Sequence, residues 1–280
     1  MRKIKILTDI NSDLTSDYIN ENNIDVVPMY YRFDDKTTYG DEIKLTIPEF
    51  YEKFKTSLPK TMGCNPEKIR EKIEKAVKNG YDVICIMFSS ALSVSYNSAL
   101  IAKEMIEDDY PEAKVEVIDS KMGSMAEGYM VKEAKRLSLE GLDIKSIKHY
   151  IENNMNNFKC LFSVSSLETL VRSGRISQAM GVVGALASLR PVFSFDKEGK
   201  ICNTGTKRGL GKVLGEIADR ITEFNPKEIT IAHANDKILA QKIKDYIIDH
   251  TGIDKIKIVD LNFCTAGSAG EGSFGISFYR

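Results

Sequence analysis

Four serines lie within seven residues directly after an apolar run, in the segment FSSALSVSYNSA (Phe88–Ala99). They are Ser89, Ser90, Ser93 and Ser95. The run VICIMF (Val83–Phe88) is typical of a buried strand, and a helical pattern follows the serines. Hydroxyls at such a junction can cap the helix by accepting hydrogen bonds from its first N–H groups. Beside a helix N-terminus, which carries partial positive charge, they can also hold a weak anion such as a carboxylate.

Other predicted strand–helix junctions also carry short polar side chains. The first junction contains Thr8, Asp9, Asn11 and Ser12, a later one contains Asp119, Ser120 and Ser124, and Thr61 precedes a helix that starts near Asn65. In an open parallel sheet the carboxyl ends of the strands share one edge, where ligands bind. Helix capping explains each junction taken singly. Together, the junctions predict a site for a single carboxylate at that edge.

Most common catalytic and cofactor motifs are absent from the sequence. There is no G-x-S-x-G elbow, no G-x-G-x-x-G after the first strand, no phosphate-binding loop and no metal-spaced cluster. The three histidines are far apart, and we expect His149 and His250 to be surface or capping residues. His233 ends a predicted strand, where it is either structural or faces a site. The five cysteines are too widely spaced to indicate a disulfide framework or a zinc site.

Composition excludes several classes of function. The net charge of −1 gives no basic excess for nucleic acid or anionic membrane surfaces. No apolar run approaches the roughly 18 residues that a membrane-spanning helix needs. The N-terminal sequence MRKIKILTDI lacks the apolar region of a signal peptide. We therefore expect a cytoplasmic protein without an integral membrane segment.

The order of predicted elements indicates an α/β fold with two domains. Strands and amphipathic helices alternate up to residue 157, which predicts a mostly parallel sheet flanked by helices. From residue 158 the strands lie closer together, and the segment SFDKEGKI (Ser194–Ile201) has the glycine of a tight hairpin, so a mixed α/β sheet is expected. We predict domains at 1–157 and 158–280. Without a long linker they should pack directly and leave a ligand cleft between them.

Three local predictions follow from the same patterns. Asp25–Phe33 is predicted to be one strand, and the segment NPEKIREKIEKAVKNG is predicted to be a helix with Asn65 as N-cap and Gly80 at its end. Met180–Leu189 is small, apolar and contains two glycines. That segment is either a closely packed helix or a wall that leaves room for a slender apolar ligand.

Several motifs, taken in order, resemble those of the DegV family of fatty-acid-binding proteins, and the resemblance is that of a divergent member. ILTDINSDL resembles T-D-S-x-x-D-L, VVPMYY resembles V-P-L, and FSSALSVSYNSA resembles S-S-x-L-S-G-T-Y-x-x-A. VIDSKMGSMAEG, LETLVRSGRIS and LRPVFSFDKEGKI resemble D-S-x-x-x-S-x-G-x-G, L-x-x-L-x-x-G-G-R-I and K-P-I-L-x-x-x-x-G-x-I. The resemblance covers essentially the whole chain.

This resemblance implies a carrier without turnover of its own, which holds a C14–C18 fatty acid in a tunnel and presents it to a fatty acid kinase for acyl-phosphate formation. It implies no other cofactor and no metal. By motif position, the carboxylate contacts are Thr61, Ser93 and Ser268, and Arg208 lies near the head group or the kinase surface. Secondary ligand contacts are expected from Ser95, Ser124, Gly267 and Gly270.

The chain differs from the family pattern at several of these positions. T-S-Q-P-S reads TMGCN and keeps only Thr61. In G-x-H-x-G-P-G-A-L-G the histidine position is Ser268 and the proline position is Glu271. Serine can donate a hydrogen bond but cannot carry the charge of an imidazolium. The expected consequences are weaker carboxylate binding and an altered kinase contact.

Two alternatives remain open from the sequence. One is a small-molecule enzyme related to dihydroxyacetone-kinase-type phosphotransfer, with Asp9, Asp119 or His233 as acid or base. The other is a degenerate regulatory paralogue whose pocket is filled by its own side chains. A phosphate at the strand ends would favour the first, and the absence of a cavity would favour the second.

Overall fold

The computed structural model of the chain describes residues 2–177 and 189–280. The strands are β1 (Lys3–Asp9), β2 (Asp25–Val27), β3 (Tyr30–Arg32), β4 (Thr38–Tyr39), β5 (Lys60–Met62), β6 (Tyr81–Met87), β7 (Val115–Asp119), β8 (Phe158–Ser163), β9 (Leu189–Phe195), β10 (Ile201–Arg208), β11 (Glu228–His233), β12 (Ile256–Asp260) and β13 (Phe274–Tyr279).

The α-helices alternate with these strands through most of the chain. They are α1 (Ser16–Glu21), α2 (Ile47–Phe54), α3 (Pro66–Lys78), α4 (Ser95–Asp109), α5 (Met125–Leu139), α6 (Ile144–Asn153), α7 (Glu168–Arg172), α8 (Leu210–Phe224), α9 (Lys237–Thr251) and α10 (Phe263–Ala269). Single 3-10 turns occupy Ile10–Ser12 and Met155–Asn157. None of the helices in the described ranges is long and apolar enough to cross a bilayer.

The first sheet is parallel and has the strand order β2-β1-β6-β7. Side chains of its central strand β6 alternate between two helical layers, as the pleat requires. Val83 and Cys85 belong to the core that α3 and α4 cover, whereas Ile84 and Ile86 belong to the core that α5 and α6 cover. Because both faces are buried, the strand is a continuous apolar run, which is why the sequence predicted it well.

The second sheet has six strands in the order β10-β9-β8-β13-β11-β12, and of these pairs only β11 and β12 run parallel. It starts at Phe158, directly after the predicted boundary at residue 157. Helix α5 lies against both sheets: the Tyr129 ring packs on that of Tyr279 with centroids 4.5 Å apart, and the Tyr129 hydroxyl bonds that of Thr230 at 2.8 Å. The two halves of the chain therefore pack directly.

The prediction of one strand over Asp25–Phe33 is wrong. The structure divides it at Pro28, which has no N–H for a continuing ladder. The first part, β2, extends the parallel sheet, whereas β3 pairs antiparallel with β4 and β5 in a separate sheet of three short strands. This small sheet places Thr61 opposite Tyr31, whose ring is buried.

Two other local predictions are confirmed. Helix α3 has Asn65 as its N-cap, with the Asn65 side chain accepting a hydrogen bond from the Glu67 N–H, and Gly80 follows its end with φ +81°. The hairpin of β9 and β10 turns at Gly199, with φ +80°. Residues 180–188 of the slender apolar segment lie outside the described residues.

Candidate functional site

A cavity of about 90 Å³ lies between the carboxyl edge of the parallel sheet and the second sheet. Its walls are mostly apolar: Met29, Phe88, Leu92, Gly123, Cys160, Phe162, Leu170, Phe195, Ile201, Leu261, Cys264, Ala269, Phe274 and Gly275. The polar residues lining it are Asn11, Thr61, Ser124, Arg175, Thr265, Ser268 and Ser273. The described residues therefore leave a mostly apolar space at this edge of the sheet.

Thr61 and Arg175 mark the mouth of the cavity. Both also line a neighbouring surface groove formed by residues 58–61, helix α7 and Gly267. The Arg175 guanidinium donates through Nη2 to Thr61 Oγ1 at 3.3 Å. These two side chains therefore form one polar unit where the apolar space meets the surface.

Arg175 is a half-buried cation without an acidic partner. Desolvation lowers the pKa of its guanidinium, and it makes no ion pair within the described residues. Residues 178–188, which follow it closely in the sequence, contain no aspartate or glutamate. Removing a cation from water without a counter-charge costs free energy, and an anionic group bound at the mouth would offset that cost.

Of the other predicted contacts, Ser268 and Ser124 line the same cavity as Thr61. Ser268 lies on α10 and is half-buried, and its hydroxyl makes no hydrogen bond within the part of the chain that the structure describes. Ser124 precedes α5 and is buried. The structure thus brings together Thr61, Ser268 and Ser124, from three distant parts of the sequence.

The serine junction is used mainly for internal hydrogen bonds. Ser93 Oγ lies 2.9 Å from Ser95 Oγ and accepts from the Ser95 N–H, and Ser95 Oγ accepts from the Cys64 N–H at 3.1 Å. Ser93 and Ser95 do not line the cavity. They hold the start of α4 against the loop that follows Thr61, and so they help to position Thr61.

The first two serines of the junction tie other loops together. Ser89 Oγ donates to the carbonyl of Gly199 at 2.7 Å and joins the first half to the β9–β10 hairpin. Ser90 Oγ donates to Asp119 Oδ2 at 2.5 Å and holds the ends of β6 and β7 together.

The remaining predicted contacts lie outside the cavity. Arg208 is exposed at the end of β10. Gly267 lines the neighbouring groove, where a Cβ would lie 2.7 Å from Pro59 Cγ, so the Gly267 backbone packs directly against the proline ring. Gly270 ends α10 at φ +91°, and a Cβ on it would lie 3.0 Å from Thr169 Oγ1. Both glycines allow the backbone on either side of Ser268 to pack closely against its neighbours.

Three buried carboxyl groups lie behind the cavity wall: Asp9, Asp13 and Glu127. Burial raises the pKa of Asp9 and of Asp13 to about 6 each, and it raises that of Glu127 well above its usual value, with the charge of Asp9 adding to the effect. Asp9 accepts from the N–H groups of Phe88 and Asn11. Glu127 Oε1 accepts from Thr8 Oγ1 at 3.0 Å.

Asp13 links the two halves of the chain. It accepts through Oδ1 from the Asn262 backbone N–H at 3.1 Å and from Asn262 Nδ2 at 2.8 Å. Its Oδ2, like Glu127 Oε2, is buried without a hydrogen-bond partner among the described residues. Sequence reasoning did not anticipate this cluster, because only the position of α5 between the sheets buries Glu127.

The acid and base groups of the alternative enzyme hypothesis do not form one site. The Asp119 carboxylate accepts hydrogen bonds from Ser90 and from the Lys121 N–H, so it stabilises the loops that follow β6 and β7. His233 lies in the other sheet, where its Nε2 is 3.6 Å from Asp260 Oδ1 and burial lowers its pKa. No group of three metal-binding side chains with suitable geometry occurs in the residues described.

Arg175 is the main site residue that sequence reasoning missed. It lies in the segment LETLVRSGRIS, directly after the glycine of that motif. The motif alone could have marked it as a candidate. Its lack of an acidic partner among the described residues, which singles it out, is visible only once the chain is folded.

The two larger sheets and the mostly apolar cavity between them define an α/β protein with one parallel and one mixed sheet. The model of the DegV family of uncharacterised proteins matches residues 3–280, and this chain belongs to that family. A DegV domain-containing protein from Clostridium perfringens is 33% identical over 270 residues, covering 90% of this chain and 92% of the relative.

Solved structures of the family match the fold closely. A fatty-acid-binding DegV family protein from Thermus thermophilus is 27% identical, with a TM-score of 0.87 and 100% of both chains covered. A stearic-acid-binding protein from Eubacterium ventriosum is 24% identical, with a TM-score of 0.89 and coverage of 99% and 98%. The expected α/β fold with one parallel and one mixed sheet is therefore confirmed.

Proposed function

We propose that this protein binds one long-chain fatty acid, with the acyl chain in the apolar cavity and the carboxylate at its mouth, against Arg175, Thr61 and Ser268. The observation that carries the proposal is the half-buried Arg175 cation, which makes no ion pair within the described residues, at the mouth of a mostly apolar space. The family supports it, since the Thermus thermophilus relative is described as fatty-acid-binding. The cavity lies between the halves 1–157 and 158–280, which act as two domains in this proposal.

The apolar wall supplies most of the binding free energy in this arrangement. A C16 acid buries about 14 methylene groups at about 0.8 kcal/mol each, or about 11 kcal/mol before association and ordering costs of several kcal/mol. A hydrogen bond to a charged group adds about 1.5–3 kcal/mol. The acyl chain therefore dominates affinity, and the polar residues at the mouth set the orientation.

Within this proposal the protein is a cytoplasmic carrier without catalytic turnover, and a fatty acid kinase would phosphorylate the presented carboxylate. The position of the carboxylate next to the surface groove supports presentation to a partner. Arg208 is exposed on β10 and is proposed for the partner contact rather than for the ligand. Ser93 acts through Ser95 and the Cys64 backbone, so it positions the loop after Thr61.

The direct test is solvent extraction of the purified protein followed by mass spectrometry, together with titration of the delipidated protein with C14–C18 acids. We expect one fatty acid per chain and saturable binding. Absence of both co-purified lipid and added-acid binding would overturn the proposal. Turnover of a phosphorylated small molecule by the chain alone would instead support the enzyme alternative.

Gly123→Ala should reduce the usable length of the cavity. A Cβ there would lie 2.4 Å from Phe88 Cε2, so the Phe88 ring, which lines the cavity, must move. If the ring takes the space of about two methylene groups, binding of a C18 acid should weaken about tenfold. Binding of a C14 acid should stay within about twofold.

Gly211→Ala is the matched control, since a Cβ on Gly211 meets no atom within 4 Å. Isothermal titration with C14 and C18 acids measures both variants. Equal weakening for both acids in Gly123→Ala would mean that the substitution disturbs the fold rather than the cavity length.

A further inference from the structure

Helix α10 carries Ser268, one of the proposed carboxylate contacts, and its first turn is bonded to the other half of the chain. Asn262 is the N-cap of α10, where its Oδ1 accepts from the Thr265 N–H at 3.0 Å. Asn262 Nδ2 donates to Asp13 Oδ1 at 2.8 Å, and the Asn262 backbone N–H donates to the same oxygen at 3.1 Å. One asparagine therefore both caps α10 and joins it to the turn that follows β1.

Asn11 provides a second bond from the first half to the same turn of α10. Its Oδ1 accepts from Asn262 Nδ2 at 3.3 Å and from the Thr265 hydroxyl. Asn11 is 1% exposed, and its own N–H donates to Asp9 Oδ1 at 2.8 Å, so it is itself held in place. Because hydrogen bonds depend on both distance and angle, these contacts fix the start of α10 relative to the first half.

The proposed carboxylate contacts come from both halves of the chain. Thr61 lies on β5 in the half 1–157, whereas Ser268 and Arg175 lie in the half 158–280. The end of α10 is bonded within its own half, since the Ala269 carbonyl accepts from Thr169 Oγ1 at 3.1 Å. The bonds at the first turn therefore help to set the distance between Ser268 and Thr61.

We propose that Asn262 is a positioning residue for the carboxylate site. Through its bonds to the first half, it holds Ser268 at the distance from Thr61 at which one carboxylate contacts both. This inference rests on the proposed fatty-acid function and adds how the two halves assemble its head-group site. Asn262 does not line the cavity, so it acts through α10 rather than by touching the ligand. A bond to the Asp13 carboxylate suits this role, since charge-assisted hydrogen bonds are stronger than neutral ones.

The test replaces Asn262 with serine, which can still cap α10 but lacks the amide that donates to Asp13 and Asn11. In isothermal titration of the delipidated protein, palmitic acid should bind about tenfold more weakly, because the Ser268 bond to its carboxylate is misaligned. Binding of hexadecanol, which has the same chain length and no carboxylate, should stay within about twofold. Unchanged binding of the acid, or an equal loss for the alcohol, would overturn the inference.

Two further variants separate positioning from a general disturbance of the fold. Asn65→Ser is the matched control, since it makes the same change at the N-cap of α3, where the side chain bonds the Glu67 N–H. Palmitic acid should bind this variant as it binds the unmodified protein. Thr265→Val removes the hydroxyl that bonds Asn11, and it should give a smaller loss for the acid, again with the alcohol unchanged.

A double-mutant cycle with Ser268→Ala shows whether Asn262 acts through Ser268. Ser268→Ala alone should weaken binding of palmitic acid about tenfold. Adding Asn262→Ser should weaken it by no more than about twofold further, because the contact that Asn262 positions is already gone. Losses that multiply in full, or a Ser268→Ala protein with unchanged affinity, would overturn the inference while leaving fatty-acid binding intact. If palmitic acid does not bind the unmodified protein, the proposed fatty-acid function itself fails.

Discussion

Replacing Arg175 with glutamine is expected to weaken binding of palmitic acid about 10- to 100-fold. The guanidinium is the only cation lining the described cavity, and it bonds Thr61 at the mouth. Loss of a charge-assisted hydrogen bond costs about 1.5–3 kcal/mol, which corresponds to that range. Displacement of a fluorescent fatty acid from the delipidated protein measures the change.

Two comparisons show whether the carboxylate is responsible. Arg172→Gln is the matched control, since Arg172 lies three residues earlier, is exposed and pairs with Glu168 at 3.4 Å; its effect should be within about twofold. Hexadecanol should bind the unmodified protein and Arg175→Gln about equally, because it lacks the charge. Equal losses for the acid and the alcohol would place Arg175 in the fold of the mouth and not at the carboxylate.

Asp13→Asn should stabilise the protein at pH 7.5 and flatten the dependence of its stability on pH. Burial raises the pKa of Asp13 from 3.8 to about 6, so the folded state binds the proton more tightly than the unfolded state does. Stability is therefore lost as pH rises from about 4 through about 6 and is constant above that range with respect to this group. A shift of about two pH units corresponds to at most about 3 kcal/mol.

The asparagine keeps the size and the local conformation. Asp13 has a φ of 46°, which asparagine tolerates, and the amide oxygen can keep the bonds from Asn262. Thermal unfolding at pH 4 and pH 7.5 measures the effect, with exposed Asp17→Asn as the control. A gain of the same size at both pH values would contradict the assignment, since the neutral carboxyl at pH 4 carries no such penalty.

The architecture could be predicted from local patterns because its elements obey simple periodicities. Strand β6 is a continuous apolar run, and α3 begins at Asn65 and Pro66 with the expected capping. The error at Pro28 arose where the apolar pattern continues while the chain changes sheets. A run of hydrophobic residues indicates that a strand is buried, but it does not indicate which sheet or neighbouring strand it pairs with.

The site could be predicted only in outline. The argument from parallel strand ends brought Ser124 to the correct edge, and the family motifs pointed to Thr61 and Ser268. What the sequence could not reveal is which polar groups remain unpaired after folding. Ser93 finds a partner in Ser95, two residues away, whereas Arg175 reaches Thr61 across 114 positions and has no acidic partner among the described residues.

Strand β13 lies between β8 and β11, so the last residues of this sequence form the middle of the second sheet. During synthesis, β8 emerges from the ribosome more than 100 residues before its neighbour does. One edge of β8 stays unpaired until β13 has been synthesised. The part of the cavity wall formed by Phe274 and Gly275 is also missing until then. A chain that stalls before residue 274 therefore lacks this part of the cavity wall and exposes one unpaired edge of β8 to chaperones and proteases.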